Sequence, residues 1–311
     1  MNFLARPWAV VLSAIDSDYF PEGAEAVRNK PEKFEFKRSI PFIILHIGFL
    51  GVIWVGWSPV AVAVAVALYF VRMFAVTAFY HRYFCHKAYR VSRFWQFVFG
   101  LVGLTAVQRG PLWWAAVHRH HHRHSDDEHD AHSPHCKGFL WSHIGWLTSS
   151  RNFPTDYKAV PDLVKYPELV FLNRFDLIGP LLLIALLYGL GALLEAFAPG
   201  LATSGWQMVV WGFFVSTVFL FHATCAVNSF AHTLGSKRFD TGDESRNSLL
   251  LALITLGEGW HNNHHHYQAS ARQGFYWWEI DISYYLLRML AAVGIVSNLK
   301  PVPKRIYEKK S

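Results

Sequence analysis

Residues 59 to 80 read PVAVAVAVALYFVRMFAVTAFY, an apolar run whose only charged residue is Arg72. An α-helix rises about 1.5 Å per residue, so this run is long enough to cross the roughly 30 Å hydrocarbon core of a bilayer. It predicts a transmembrane helix. Three further apolar runs also predict membrane-spanning helices, the first of them only barely long enough: 41–57, 175–198 and 206–232.

Short turns near residues 58 and 202 join these runs into two hairpins. Neither turn contains Lys or Arg, and nor does any position from 175 to 236. Nearly all basic residues lie in 1–38, 81–174 and 237–311. Because cytoplasmic segments of membrane proteins carry the excess of Lys and Arg, these three segments, and therefore both termini, are predicted to be cytoplasmic.

Two more apolar segments are harder to place. Residues 94–107 are too few to span a bilayer, so we expect an interfacial helix there. Segment 275–296 is interrupted by Glu279, Asp281 and Arg288. An interfacial helix is the favoured interpretation of it, and a fifth span is the alternative.

The composition agrees with a membrane protein. Hydrophobic residues make up 52% of the 311 residues and charged residues only 16%. The net charge of +7 forms no compact basic patch, so no nucleic-acid partner is predicted. The three cysteines show no CxxC pairing, and no signal peptide is recognisable. Arg72 either extends its side chain to the inner interface or pairs with a carboxylate or a polar substrate group.

Histidine is the residue type that indicates chemistry, with 18 in the chain. Eight of them form three boxes: HRYFCH with His81 and His86, HRHHH with His118, His121 and His122, and HNNHH with His261, His264 and His265. In the last two boxes, positions i, i+3 and i+4 of a helix fall on one face. Each of these boxes is therefore predicted to form one metal half-site. The two histidines of the first box would lie about 140° apart on a straight helix, so the helix is expected to end or distort between them.

His232 is a ninth candidate ligand, with Asn228 one helical turn before it. Eight or nine imidazoles exceed the ligand number of a single zinc site, which implies two ions. Imidazole suits Zn, Cu, Fe and Ni, so the ligands alone do not name the metal. Glu258 either orients a ligating histidine or makes a plain polar contact.

The other histidines in these segments are interpreted as supporting or solvent-facing residues. The DDEHD run, Asp126 to Asp130, is interpreted as a solvated loop rather than a metal site. This supporting set consists of His120, His124, His129, His132, His135, His143 and His266.

Several motifs together resemble the membrane fatty acyl desaturases of the stearoyl-CoA desaturase type, over residues 41–296. In chain order they are TAFYHRYFCHKAYR, WAAVHRHHHRHSD, GFLWSHIGW, NSFAHTLG and GEGWHNNHH. The stretch RQGFYWWEIDISYYLLRML is similar to the bacterial members of that family.

The resemblance implies an all-α integral membrane protein of the bacterial inner membrane, with four transmembrane helices under a helical cytosolic cap that carries two iron ions. Residues 1–40 would be a cytosolic N-terminal segment, 41–296 the desaturase domain and 297–311 a basic cytosolic tail. Gln108, Trp114 and Thr224 would line the bend of an acyl tunnel, which implies a Δ9 double bond. The implied iron ligands are His81, His86, His118, His121, His122, His232, His261, His264 and His265, with Asn228 acting through water.

The activity implied is O₂-dependent insertion of a cis double bond into a saturated acyl chain carried by coenzyme A. A separate protein, cytochrome b5-like or a ferredoxin with its reductase, would supply electrons, since the chain has no haem, flavin or iron–sulfur segment. Ala116 and Val117 stand where relatives that use coenzyme A have an Arg-Asp pair, and Cys136 and Lys137 replace paired basic residues. A phospholipid or a carrier protein is therefore the alternative acyl carrier.

Two other functions are compatible with histidine boxes. A membrane hydroxylase or alkane monooxygenase would use a similar array and release an alcohol. A metal transporter or sensor is the non-enzymatic alternative. Transport predicts polar ligands in the middle of the membrane, whereas these boxes lie at the ends of the predicted spans.

Overall fold

The structure, a computed structural model, describes residues 5–308 and is predominantly helical. The described part contains one small sheet, in which Arg90–Val91 pairs antiparallel with Val296–Ser297. The pairing joins the end of the first histidine box to the start of the C-terminal tail. The all-α class expected from the sequence is confirmed.

Four helices are long and apolar enough to cross a membrane. They are Phe36–Val55, Pro59–Cys85, Ile178–Phe197 and Gly205–His232, called here the first to fourth spans. The four predicted spans are confirmed, with different boundaries. The first begins at residue 36 rather than 41, because Lys37 and Arg38 form its first turn. The second continues beyond residue 80 because its last residues are buried inside the cap instead of ending at the interface.

The spans are not uniform helices. The first consists of Phe36–Phe49 and Val52–Val55, and the second of Pro59–Phe74 followed by a π-helix, Ala75–Cys85. Ser58 caps the second span by accepting a hydrogen bond from the Ala61 amide, and Pro59 occupies its first turn. The fourth comprises the α-helix Gly205–Val209, the π-helix Val210–Val215, the α-helix Ser216–Ser229 and the 3₁₀-helix Phe230–His232.

The remaining elements are short helices, most of which form a cap at the end of the spans where the histidine boxes lie. The α-helices are Ala5–Ile15, Ala24–Arg28, Arg93–Leu104, Pro111–His124, Pro134–Lys137, Phe139–His143, Pro161–Val164, Pro167–Arg174, Leu249–Ile254, His261–His266 and Ile282–Ala292. The 3₁₀-helices are Gly145–Thr148, Ser150–Asn152, Tyr157–Ala159, Pro199–Leu201 and Lys304–Ile306.

Two of these helices correspond to the ambiguous apolar segments. Arg93–Leu104 is too short to span a bilayer, as the sequence predicts. Ile282–Ala292 has 11 residues, so the alternative of a fifth span is wrong. This helix packs against the second span, where Ser283 and Thr77 share a hydrogen bond of 2.6 Å.

The N-terminal segment is packed on the cap. Asp18 accepts hydrogen bonds from Tyr157 and Asn173, both at 2.6 Å. The Ser17 amide donates to the Arg174 carbonyl at 2.7 Å. These bonds place residues 16–18 beside the start of the third span.

Arg72 neither extends to the interface nor pairs with a carboxylate of the described residues. Its side chain is buried, so it does not reach the interface, and within residues 5–308 it contacts no carboxylate. Its guanidinium instead donates to three backbone carbonyls and to the hydroxyls of Ser216 and Thr217. The cause is local: helix ends and hydroxyls of neighbouring segments converge on this point.

Candidate metal centre

The π-helix at the end of the second span brings the first histidine box together. The His86 amide donates to the His81 carbonyl at 3.3 Å, an i to i+5 bond. The wider turn places the two rings 4.8 Å apart between centroids. The predicted distortion between these residues is confirmed.

Five histidines converge at the end of that π-helix and form the five-histidine group. Neighbouring Nε2 atoms are 3.0 Å apart for His81 and His264, 2.9 Å for His86 and His118, and 2.8 Å for His118 and His122. The members of this group are His81, His86, His118, His122 and His264.

Four further histidines form a second cluster, the four-histidine group. The Nε2 atoms of His232 and His261 are 3.0 Å apart. The two groups adjoin, since the rings of His122 and His265 are 4.5 Å apart between centroids. The members of the four-histidine group are His121, His232, His261 and His265.

The expectation that each H-x-x-H-H box forms one half-site is wrong. In the second box His118 and His122 join the five-histidine group, while His121 joins the other. In the third box the division is reversed, with His264 crossing to the five-histidine group. Positions i and i+4 lie about 40° apart on a helix and stay together, whereas i+3 lies on the other edge of the same face. Each helix therefore contributes to both groups.

The arrangement fits metal ions. A neutral imidazole has one N–H, and an Nδ1 that donates to a carboxylate leaves a lone pair on Nε2. Inward-facing lone pairs at about 3 Å repel one another unless a cation lies between them. Among residues 5–308, the buried Nε2 of His265 has no hydrogen-bond partner, as expected of an atom that faces an ion.

Four carboxylates hold the ligand histidines from behind. Asp130 accepts from Nδ1 of His121 at 3.0 Å, Asp126 from His232 at 2.8 Å and Asp243 from His265 at 2.5 Å. Such contacts fix the tautomer and ring orientation of a ligand. The solvated-loop interpretation of residues 126–130 is wrong for Asp126 and Asp130, which face the centre. Asp127 and Glu128 in the same run are exposed.

Glu258 is the fourth of these carboxylates, and it contacts Nδ1 of His81. This contact is the one that the orienting role considered for Glu258 from the sequence requires. Its other oxygen accepts from Arg82 at 3.2 Å, and Arg82 also pairs with Asp281 at 2.9 Å. Gly257, at φ +128°, leaves room for this pair, since a Cβ there would lie 2.4 Å from Asp281 Oδ1.

Burial favours the neutral, metal-binding form of three rings in the five-histidine group. Burial, and then the neighbouring imidazoles, hold the pKa values of His118, His122 and His264 well below the ordinary value. Burial tends to raise the pKa of Asp126, but hydrogen bonds from His232 and other donors outweigh it and lower the value to about 2. Neutral imidazoles with ionised carboxylates behind them are the state that metal ligation requires.

The supporting histidines stay outside both groups. His132 is buried with Nδ1 3.5 Å from Asp130, and His135 contacts the His232 carbonyl at 2.8 Å. His120 bonds the His129 carbonyl, and His124 bonds Asp127. His266 stacks on Phe239.

Sequence reasoning missed several residues. Asp243 and Gln273 lie in none of the motifs that point to the centre. The general hint of a supporting carboxylate in a sequence is an acidic residue beside a histidine box. His46 and His222, within the first and fourth spans, were also not singled out. Their Nε2 atoms are 3.0 Å apart, and His222 continues to His143 at 3.1 Å. These three histidines form a linear row of hydrogen bonds in which each ring nitrogen has a partner. The row shares no atom with the two histidine groups.

A cavity of about 660 Å³ leads to the centre from the N-terminal segment. A smaller one of about 50 Å³ continues past it between the second and fourth spans. The two cavities share four lining residues, which mark their junction: Trp114, His118, Thr224 and Asn228. The smaller cavity also touches members of both histidine groups and Glu258.

The three residues expected to line a tunnel bend meet at this junction. The Gln108 side-chain amide donates to the Thr224 hydroxyl at 2.9 Å, and its oxygen, Oε1, accepts from Trp114 Nε1 at 3.4 Å. Trp114 also stacks on His118, with ring centroids 5.0 Å apart. Asn228 lines both cavities beside the four-histidine group.

Comparisons with known proteins agree with this architecture. The model of the fatty acid desaturase family matches residues 40–297. An acyl-CoA 5-desaturase of Anemone leveillei is 35% identical over 98% of this chain and 94% of its own length. An sn-1 stearoyl-lipid 9-desaturase of Anabaena variabilis is 36% identical over 90% of this chain and 98% of its own. The corresponding enzyme of Synechocystis is 37% identical over 81% of this chain and 75% of its own.

Proposed function

This chain belongs to the fatty acid desaturase family, and on that premise we propose that it inserts a cis double bond into a saturated acyl chain. The proposal includes O₂ as oxidant, two iron ions as cofactor and the Δ9 position as the site of the double bond. It places the protein in a bacterial inner membrane with both termini in the cytoplasm. The observation that supports it most directly is a narrowing cavity whose junction is lined by a histidine of the metal centre.

The donor set fits iron. Nine imidazoles in two adjoining groups give one ion five ligands and the other four. Two bound irons would supply the redox chemistry with O₂ that removal of hydrogen from an unactivated methylene requires. Asn228 would complete the four-histidine group through a water molecule.

The protein's own residues then have defined tasks. The carboxylates behind His81, His121, His232 and His265 hold each ring in its binding tautomer. No haem, flavin or iron–sulfur motif was recognised in the sequence, so a cytochrome b5-like protein or a ferredoxin with its reductase would deliver the electrons.

Regiochemistry depends on where the acyl chain is held. The hydrogen-bonded trio of Gln108, Trp114 and Thr224 lies at the junction of the two cavities, against His118. A chain threaded from the larger into the smaller cavity would pass this trio with one stretch of carbons beside the centre. By holding the chain so that particular carbons lie beside the centre, the protein would determine where the double bond forms.

The acyl carrier is the second part of the proposal, with coenzyme A and a membrane lipid as the two candidates. The exposed part of the larger cavity's lining marks its mouth, between the N-terminal segment and the starts of the first and third spans. These exposed residues are Ser13, Ala14, Pro21, Glu22, Lys37, Pro41 and Leu177. The mouth therefore adjoins the membrane interface.

The charges around the mouth favour a lipid. The lining contains four carboxylates and three cations: Asp16, Glu22, Glu35 and Asp176, with Lys37, Arg38 and Arg109. Asp16 and Glu22 are paired with Arg174 and Lys30, which lie outside the lining. Arg109 is already paired with Asp176 at 3.1 Å. Within residues 5–308, Lys37 and Arg38 are in no ion pair with a carboxylate, which is enough for one phosphate of a lipid head group. Coenzyme A, with three phosphates, would need a clear excess of positive charge.

The decisive experiment is expression in a host that lacks unsaturated fatty acids, followed by mapping of the double bond. We expect monounsaturated chains with a Δ9 bond. Recovery of saturated chains alone would refute a desaturase, and hydroxylated chains would indicate the monooxygenase alternative. Purified protein in nanodiscs, supplied with electron donor, then compares stearoyl phospholipid with stearoyl-CoA. Turnover of the thioester alone would reject the lipid carrier.

Variants test the site. We expect His264→Ala and His121→Ala each to lower iron content by about one ion per chain and to abolish activity, with membrane insertion unchanged. His120→Ala, on the same helix as His121 but outside both groups, is the matched control and should keep both ions. Thr224→Val should alter rate or bond position, since it removes the acceptor of the Gln108 amide.

A further inference from the structure

The two histidine groups differ in the carboxylates behind them. In the four-histidine group three of the rings, His121, His232 and His265, donate to Asp130, Asp126 and Asp243 respectively. In the five-histidine group only His81 has such a partner, Glu258. Within residues 5–308, no carboxylate contacts the other four rings of that group, and Nδ1 of His122 and His264 has no protein partner.

The surroundings of these carboxylates increase the difference. Asp126 also accepts from Ser133 and the Glu244 amide, and Asp243 from Thr241 and Ser245. Asp130 accepts two backbone amides. All of these donors are neutral, so the three aspartates keep their full negative charge beside the four-histidine group.

Glu258 has a different environment, because a buried cation contacts it. Arg82 donates to its Oε1 from two nitrogens, at 3.2 and 3.4 Å. Arg82 is fully buried with it, so solvent does not screen the pair. Arg82 also pairs with the buried Asp281, so these three side chains carry one net negative charge beside the five-histidine group, against three from the aspartates beside the four-histidine group.

The consequence for a bound ion follows from ligand basicity. A carboxylate that accepts the Nδ1 proton makes the imidazole a stronger donor, and its charge stabilises the more highly charged state of the ion. One additional neutral imidazole, as in the five-histidine group, adds a donor atom but no charge. Charge separates a ferric from a ferrous ion more strongly than donor number does, so the aspartates decide the difference.

We propose that the three aspartates make the two metal positions electronically unequal, so that the four-histidine group holds the ferric ion and the five-histidine group the ferrous ion in the half-oxidised centre. This assignment rests on the two irons of the proposed function. Asp126, Asp130 and Asp243 are positioning residues here, since they act on the ions only through the imidazoles.

The test is a redox titration of protein loaded with ⁵⁷Fe, followed by Mössbauer and electron paramagnetic resonance spectra. We expect the diferrous, unsubstituted protein to be oxidised in two one-electron steps. The first step, at the lower potential, oxidises the ion in the four-histidine group, and the second oxidises the ion in the five-histidine group. Asp126→Asn or Asp243→Asn should raise the potential of the first step, for a tenfold loss of ferric preference by about 59 mV. Glu258→Gln should leave the first step in place and raise only the second.

Asp162→Asn is the matched control, because Asp162 pairs with Arg119 next to His118 but contacts no ligand ring. It should leave both steps unchanged. If an Asn or Gln variant retains a single iron, the remaining ion gives the same test. It should show the higher potential in Asp243→Asn and the lower one in Glu258→Gln.

Equal shifts of the first step in the Asp243 and Glu258 variants, or a first step that only Glu258→Gln moves, would overturn the assignment. Unsubstituted protein that binds fewer than two irons would instead overturn the cofactor in the proposed function. The two failures are therefore distinguishable in one set of samples.

Discussion

Arg72 and Arg82 lie ten residues apart on one continuous helix, the second span, and both are buried with 1% of their surface exposed. Their surroundings differ completely. Arg72, at the level of the spans, is held by neutral oxygen atoms, whereas Arg82, inside the cap, is held by two carboxylates. The same side chain thus serves two regions of the molecule in two ways.

The bonds of Arg72 join three segments. It donates to Thr105, at the C-terminal end of helix Arg93–Leu104, and to the Gly212 carbonyl in the π-helix of the fourth span. Helix C-termini and π-turns present carbonyls that lack partners within the helix, and the C-terminal end of a helix favours a cation. Thr217 and Ser216 complete the shell at 2.7 and 2.5 Å.

The bonds of Arg82 belong to the metal centre. Asp281 connects it to the C-terminal helix, and Glu258 connects it to the His81 ring. The difference between the two arginines teaches where this protein places buried negative charge. Among the described residues, buried carboxylates occur outside the spans, where some contact histidines and others pair with arginines, and the interior of the spans uses hydroxyls and carbonyls instead.

The largest effect is expected from Arg82→Leu. The substitution leaves Glu258 and Asp281 buried without their cation, which typically costs about 3–5 kcal/mol of stability. We expect loss of monodisperse protein in detergent, or a large fall in melting temperature, together with loss of metal. Arg93→Leu removes an exposed arginine paired with Glu168 and is the control, with little expected change in melting temperature because solvent screens the pair. Equal behaviour of the two variants would contradict the comparison.

Arg72→Met should have a smaller effect. No carboxylate is left unpaired, but carbonyls and hydroxyls inside the spans lose their donor, for a cost of about 2–3 kcal/mol. Melting temperature should fall by less than in the Arg82 variant, and metal content should be unchanged. A loss of metal in Arg72→Met would show that the two regions are coupled more tightly than their contacts indicate.

Gly257→Ala tests the packing around Arg82 without removing a charge. The backbone has φ +128°, and the new Cβ would lie 2.4 Å from Asp281 and 2.8 Å from Arg82. We expect a loss of about 2 kcal/mol, measured as a lower melting temperature. Gly56→Ala, at φ +64° with nothing within 4 Å, separates backbone strain from contact and should lose less. Identical losses would mean that the close approach to Arg82 is unimportant.

The smallest effect concerns acid. Burial tends to raise the pKa of Asp162, but hydrogen bonds from Arg119 and Lys87 outweigh it and lower the value to about 2. Because the folded pKa lies below the unfolded one, the stability from this pair is present above about pH 4 and is lost as pH falls towards 2. Solvent reaches the pair, so we expect a loss of about 1 kcal/mol.

The measurement is melting temperature against pH, in the unsubstituted chain and in Asp162→Asn. The variant should be less stable at neutral pH and should show a smaller decline between about pH 4 and 2. Parallel curves would show that Asp162 does not contribute to the acid sensitivity of the cap.

Much of the fold followed from local sequence. The four spans could be predicted because the length and apolarity of a run decide whether it covers a bilayer, and helix Arg93–Leu104 was recognised by the same criterion. Eight of the nine histidines that converge could be predicted from the spacing within the three boxes, and His232 from its place at the end of the fourth apolar run. The distortion between His81 and His86 also followed from their spacing. Family membership, inferred from the order of the motifs, is confirmed.

The tertiary structure decided how those histidines are shared. Spacing fixes which residues occupy one face of a helix, but it does not fix which neighbours that face meets, so the division of each box between two groups was not predictable. The supporting carboxylates depend on the same crossing of distant segments, since Asp126 and His232 are 106 positions apart. The partners of Arg72 do so too, since Arg72 and Thr217 are 145 positions apart. Period and length are properties of a segment, whereas the partner of a buried charge is a property of the packed chain.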